Sequence, residues 1–134
     1  MNDEVRRALR EDKLIDIITT GAKTGIPRKT EIWFTHIDGR IIICGTPDAI
    51  DIDAPRKRRD WLANLKANPA LVFCLKESVV AQLPATAKLI VDREDRSRIM
   101  NAPETKWYRE QGESIEALIV GSPIVEVFFE EGVL

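Results

Sequence analysis

Histidine is almost missing from this sequence. His36 is the only one, and the two cysteines, Cys44 and Cys74, stand far apart. Without a close cysteine pair or a second histidine, the chain offers no ligand set for a structural zinc ion. Both cysteines lie in apolar runs, so they read as buried thiols rather than as a disulfide. Aromatic residues make up only 6% of the chain, and no apolar run approaches the roughly 20 residues a membrane helix needs. The opening Met1-Asn2-Asp3-Glu4 lacks the basic segment and apolar core of a signal peptide, so the expectation is a cytoplasmic protein without membrane insertion.

What is present is a sequence of 134 residues, 44% apolar and 31% charged, the composition of a soluble globular protein. That length suits one domain, residues 1–134, with a sizeable core. The net charge is -2, but the basic residues are unevenly placed. Lys23, Arg28 and Lys29 occur with no acid among them, and Arg56-Lys57-Arg58-Arg59 adds four more. These two stretches hold 7 of the 20 basic residues, so the rest of the chain is strongly acidic. A local basic field on an acidic protein suits a discrete anion better than a nucleic-acid track. Trp33 and Phe34 begin only after the basic loop, inside an apolar run, which also argues against nucleic acid.

The stretch Thr19-Thr20-Gly21-Ala22-Lys23-Thr24-Gly25-Ile26-Pro27-Arg28-Lys29-Thr30 is polar, basic and flexible, between two strand-like runs. Gly21 and Gly25 let backbone amides approach an oxyanion, Arg28 offers bidentate contact and Lys23 a mobile point charge. Pro27 argues against regular structure at that point.

The pattern predicts a helix over 3–12, a strand over 14–18, and strands over 30–37 and 40–44 joined by an Asp38-Gly39 type I′ turn. Arg40-Ile41-Ile42-Ile43-Cys44 does not alternate, which predicts burial on both faces. A loop over 47–56 leads to a helix over 57–67 striped by Trp61, Leu62 and Leu65 and ended by Asn68-Pro69. Strands follow over 70–75 and 79–91, where Pro84 marks an edge, bulge or bend. Helical segments over 92–100 and 104–110, a helix or strand over 113–119, and a strand over 124–129 complete the chain. The residues alone fit a small barrel-like β domain or another α+β arrangement. Trp61 reads first as core, and Asn64 as a residue that hydrogen-bonds a loop backbone. Cys44 reads as a small buried hydrophobe, His36 as packing or surface, and Arg56–Arg59 as a solvated helix start or an extension of the anion site.

Gly21-Ala22-Lys23-Thr24-Gly25-Ile26-Pro27-Arg28, followed at this distance by Trp61-Leu62-Ala63-Asn64-Leu65-Lys66-Ala67-Asn68-Pro69, resembles the deazaflavin-dependent nitroreductase family. The resemblance covers residues 14–76 by motif and the remainder by element order. It implies a mainly β fold with flanking helices, a split β-barrel related in architecture to pyridoxamine-phosphate oxidases and FMN-binding proteins, and a homodimer. It also implies hydride transfer from reduced coenzyme F420, an 8-hydroxy-5-deazaflavin, to a small unsaturated, quinone-like or nitro acceptor. Lys23 and Arg28, with Thr24, Lys29 and Thr30 beside them, are then implied to hold the coenzyme's phosphate and acidic tail. Cys44, Gly45 and Thr46 would lie along its ring, with Trp61 and Asn64 beside the site. No catalytic side chain is implied. Ala22 stands where the family commonly has arginine, Thr46-Pro47-Asp48 replaces a glycine pair, and Tyr108 is the single candidate for the acceptor-pocket tyrosines. FMN, or a flavin-binding protein without catalysis, therefore stays open as an alternative.

Overall fold

The computed structural model describes residues 2–45, 60–110 and 114–130. Its six described strands are β1 (Leu14–Thr20), β2 (Pro27–Ile37), β3 (Arg40–Cys44), β4 (Ala70–Leu75), β5 (Ala81–Leu89) and β6 (Ile124–Phe129). They close into an antiparallel barrel in the order β1-β2-β3-β6-β5-β4. Closure pairs each described strand with a neighbour on both sides over part of its length. The expected mainly β barrel with flanking helices is what the chain forms.

Side-chain alternation explains most of the packing. Ile15 and Ile17 of β1, Phe34 of β2, Ile41 and Ile43 of β3, Phe73 of β4 and Val125 and Val127 of β6 fill the barrel. Phe73 meets Phe34 and Phe129 edge-on, with ring centroids 5.2 Å apart in each pair, the arrangement that aromatic quadrupoles favour. Helix α1 (Asp3–Glu11) adds Val5, Ala8 and Leu9 to this core, and α2 (Asp60–Ala67) adds Trp61 and Leu65. The Asn2 side chain caps α1 by accepting from the Val5 amide at 2.8 Å.

A second apolar cluster lies outside the barrel. It forms where α3 (Arg93–Asn101), α4 (Lys106–Arg109) and α5 (Ile115–Gly121) cover β3 and the start of β6. Ile42 and Cys44 point into this cluster while Ile41 and Ile43 point into the barrel. Two-sided burial is therefore why β3 shows no alternation. Asp38 and Gly39 have φ of 50° and 80°, as the predicted I′ turn requires.

Two boundaries differ from the sequence reading in ways that matter for the site. β1 runs to Thr20 and β2 begins at Pro27, so the loop between them spans only 21–26. Pro27 opens the strand opposite Thr20, a first-residue position that tolerates its missing N–H. In β5, Pro84 pairs with Val72 on one side, while β6 pairing begins only at Ala85, so the strand is locally an edge there. Elsewhere Asp92 is the N-cap of α3 rather than its first residue, a 3₁₀ turn (Pro103–Thr105) precedes α4, and residues 115–121 are helical. The expected loop over 47–56, and the start of the helix at 57–59 with its arginines, lie outside the described residues. Among the described residues, no helix is long and apolar enough to cross a membrane.

Candidate functional site

The loop between β1 and β2 is tied into a tight arch. The Gly21 amide donates to Ile26 O and the Gly25 amide to Gly21 O, both at 2.9 Å, and Thr24 Oγ1 accepts from the Ile26 amide at 3.2 Å. A Cβ on Gly21 would sit 2.6 Å from Thr24 Oγ1 and 3.0 Å from Ile26 O, so the arch closes this tightly only around glycine. Gly25 has φ +69°, the left-handed region.

Asn64, 5% exposed on α2, holds the arch from below. Its Oδ1 accepts from the Ala22 amide at 2.9 Å and its Nδ2 donates to Thr19 Oγ1 at 3.1 Å. The expected loop contact of Asn64 is thus present. Its second partner, Thr19, was not anticipated, although a threonine continuing the inward series Ile15, Ile17 was the available signal. Trp61, on the same helix, is buried in the barrel core as expected and anchors α2 there.

Gly21, Ala22, Lys23, Thr24, Arg28, Ala63 and Asn64 line a cavity of about 170 Å³. Arg28 reaches it because β2 alternates. Directly paired antiparallel residues share a face, so Arg28 lies with Thr19, and Thr30 with Ile17, on the inward side. Lys29 pairs with Ile18 on the outward side, and its Nζ lies 3.6 Å from Asp16 Oδ2. Lys29 is therefore separated from Lys23 and Arg28 by the strand pleat, a separation that the sequence reading, which extended the loop to Thr30, could not show. Among the described residues, neither Lys23 nor Arg28 has an acidic partner.

The remaining expected positions lie elsewhere. Cys44 faces the cluster outside the barrel, where burial pushes its thiol up to about 12, so the neutral form persists across the physiological range. Burial also raises Cys74. Gly45 is buried, and its amide donates to Pro123 O at 2.9 Å. Thr46 lies outside the described residues. Tyr108 is 1% exposed, and its hydroxyl donates to Ser122 Oγ at 3.0 Å.

The donor set fits the anionic part of a phosphate-bearing coenzyme. Two cations without acidic partners among the described residues, Lys23 and Arg28, line one cavity beside the arch. The Gly21, Ala22, Gly25 and Ile26 amides of the arch are engaged within the protein, so the side chains rather than the glycine amides would meet the anion.

Residues 2–118 match the family model described as F420H(2)-dependent quinone reductase. Among solved structures, one titled an F420 reductase is 15% identical, covers 96% of this chain and 95% of its own length, and has a TM-score of 0.65. A Clostridium acetobutylicum protein related to general stress protein 26, of the pyridoxinephosphate oxidase family, is 15% identical with 95% and 82% coverage and a TM-score of 0.66. A structure titled a domain-swapped dimer is 20% identical, with 87% and 81% coverage and a TM-score of 0.53. At these identities the likeness is one of fold.

Proposed function

The chain belongs to the F420H(2)-dependent quinone reductase family, a deazaflavin-dependent oxidoreductase family using coenzyme F420, and from that premise we propose that its acceptor is a small quinone. Bound reduced coenzyme F420 supplies the hydride. The chain's own work is to bind, orient and exclude water. Arg28 grips an anionic group of the coenzyme through its planar fork, and Lys23 adds a mobile charge above it. Thr24 and Thr30 are the neighbouring hydroxyls on that side. Asn64 keeps the arch in position by holding the Ala22 amide, and Trp61 fixes Asn64's helix. Backbone at Cys44 and Gly45 would border the ring, with the Cys44 thiol inert. Lys29 is left out of this set because Asp16 engages it on the opposite face.

The observation that carries this reading is the convergence of Lys23 and Arg28, neither with an acidic partner among the described residues, on the Asn64-held arch. In this reading the product oxygen takes its proton from solvent or from a pocket group not identified among the described residues. We also place the protein in the cytoplasm as a single-domain homodimer. The outer barrel face supports the dimer, since Ile18 and Val72 are only half-buried there and Phe128 is 46% exposed. Light scattering is expected to give twice the chain mass, and a monomer at micromolar concentration contradicts the dimer.

The test of the activity is oxidation of reduced coenzyme F420, followed by absorbance, with a benzoquinone, a nitroaromatic and an enone as acceptors. Turnover is expected to be fastest with the quinone. Faster turnover of the nitroaromatic, or reduction of quinone by reduced FMN alone, contradicts the proposal.

A further inference from the structure

Helix α2 has cavities on two sides. Ala63 and Asn64 line the loop cavity, whereas Leu62 and Lys66, one turn apart, line a second cavity of about 240 Å³. Arg96, Ser122 and Ile124 are among the residues that complete it, and no described acidic residue does.

Arg96 is fixed in its wall. Nε donates to Ile119 O at 2.6 Å, Nη1 to Ile90 O at 2.7 Å and Nη2 to Ser122 O at 2.5 Å. Two of these carbonyls belong to the C-terminal end of α5, whose dipole offsets part of the positive charge. Tying down that end and the Ile90 carbonyl accounts for three of the five N–H donors of a guanidinium and leaves two. Among the described residues no carboxylate pairs with Arg96, and its burial lowers the pKa, the signature of a desolvated cation. The same cavity receives a second cation, Lys66 in the last turn of α2, which has no acidic partner among the described residues. Ser122 accepts from Tyr108, which leaves its own hydroxyl hydrogen to donate. A merely structural arginine would need neither the second cation nor a described lining without acidic residues.

We infer that this second cavity binds an oxyanion, a carboxylate or phosphate group, with Arg96 as its fixed donor and Lys66 as its mobile one. The site stands apart from the loop cavity and does not depend on the identity of the acceptor. The anion belongs either to a separate small molecule or to an acidic group of the coenzyme.

The test is a titration of the full chain with inorganic phosphate at constant ionic strength, read by amide and arginine Nε–H chemical shifts. Saturable shifts are expected at Arg96, Gly121 and Ser122, resolved from any shifts at Ala22 to Thr24. Lys66→Ala is expected to raise the dissociation constant at this site at least threefold, and Lys66→Glu to abolish binding, while Lys23→Ala changes it less than twofold. Arg96→Lys should also weaken binding; should that variant fail to fold, the exposed Lys66 variants decide alone. Shifts that stay linear in phosphate, or a saturable site unmoved by Lys66→Glu, overturn the inference. Repeating the titration with coenzyme F420 bound separates the sources. Loss of the phosphate site assigns the anion to the coenzyme, and persistence assigns it to a separate molecule.

Discussion

Arg28 and Lys29 are neighbours in sequence with opposite surroundings. Arg28 sits on the inward face of β2 at a cavity lined by no described acidic residue, while Lys29 sits on the outward face beside Asp16, which also pairs with Lys76 at 2.9 Å. Lys76 in turn holds Glu31, and both acids raise its pKa. The outward face of β2 is thus a neutralised ion network, and the inward end is a standing positive field. The same division recurs across the molecule. Arg40 is clasped by Asp95 and Glu126, each at 2.8 Å, whereas Arg96 has only carbonyl partners among the described residues. Arg40, held by acids, is read as a contributor to stability, and Arg28 and Arg96, with no acidic partner among the described residues, are the cations proposed above to meet anions.

That division can be tested by removing partners of each kind. The largest stability effect is expected for Asp95→Asn, which breaks the two-pronged contact with Arg40. It should cost about 1.5 to 3 kcal/mol at pH 7 in urea unfolding. Arg40 lowers the Asp95 pKa, so this contribution is complete above the ordinary carboxylate value and is lost as pH falls through the lowered one. The gap between wild type and variant should therefore close below about pH 4. A constant gap down to pH 2 would remove the ion pair as its cause.

Asn64→Ala comes next, at about 1 to 3 kcal/mol, because it strips partners from the Ala22 amide and the buried Thr19 hydroxyl. Unlike Asp95→Asn it should also weaken coenzyme binding, since it releases the arch. Normal binding by a folded Asn64→Ala protein would show that the arch needs no support. Gly25→Ala is expected to cost about 1 to 2 kcal/mol through backbone strain alone, because nothing lies within 4 Å of the added Cβ. The smallest effect is Lys29→Ala, at about 0 to 1 kcal/mol for a largely exposed pair. It should also shrink as salt rises, and a salt-independent loss would point to packing of its methylenes instead.

Much of this arrangement was legible in the sequence because it is written in local chemistry. Asp38-Gly39 specified its turn, the unbroken Ile41-Ile42-Ile43 run specified two-sided burial, and Asn64 in an apolar helix specified a hidden polar partner. What the sequence did not disclose depended on register. Whether Arg28 and Lys29 share a face turns on whether β2 begins at Pro27 or at Thr30, and a proline reads locally as a breaker. Only pairing with Thr20 decides it. Arg96 was hidden for a similar reason. It stands in the highly charged segment predicted as a helix over 92–100, and its carbonyl partners come from residues 90, 119 and 122, which only the tertiary fold assembles.

The most direct measurement is a calorimetric titration of coenzyme F420 into wild type, Lys23→Ala, Arg28→Ala and Lys29→Ala, with urea unfolding of each. Arg28→Ala is expected to lose about 1.5 to 3 kcal/mol of binding, roughly 10- to 150-fold in Kd, with stability unchanged within about 0.5 kcal/mol. Lys23→Ala should lose less, and Lys29→Ala should bind within about twofold of wild type. An unchanged Kd for Arg28→Ala, or equal losses for Arg28→Ala and Lys29→Ala, would contradict the assignment of the coenzyme's anion to the inward face of β2.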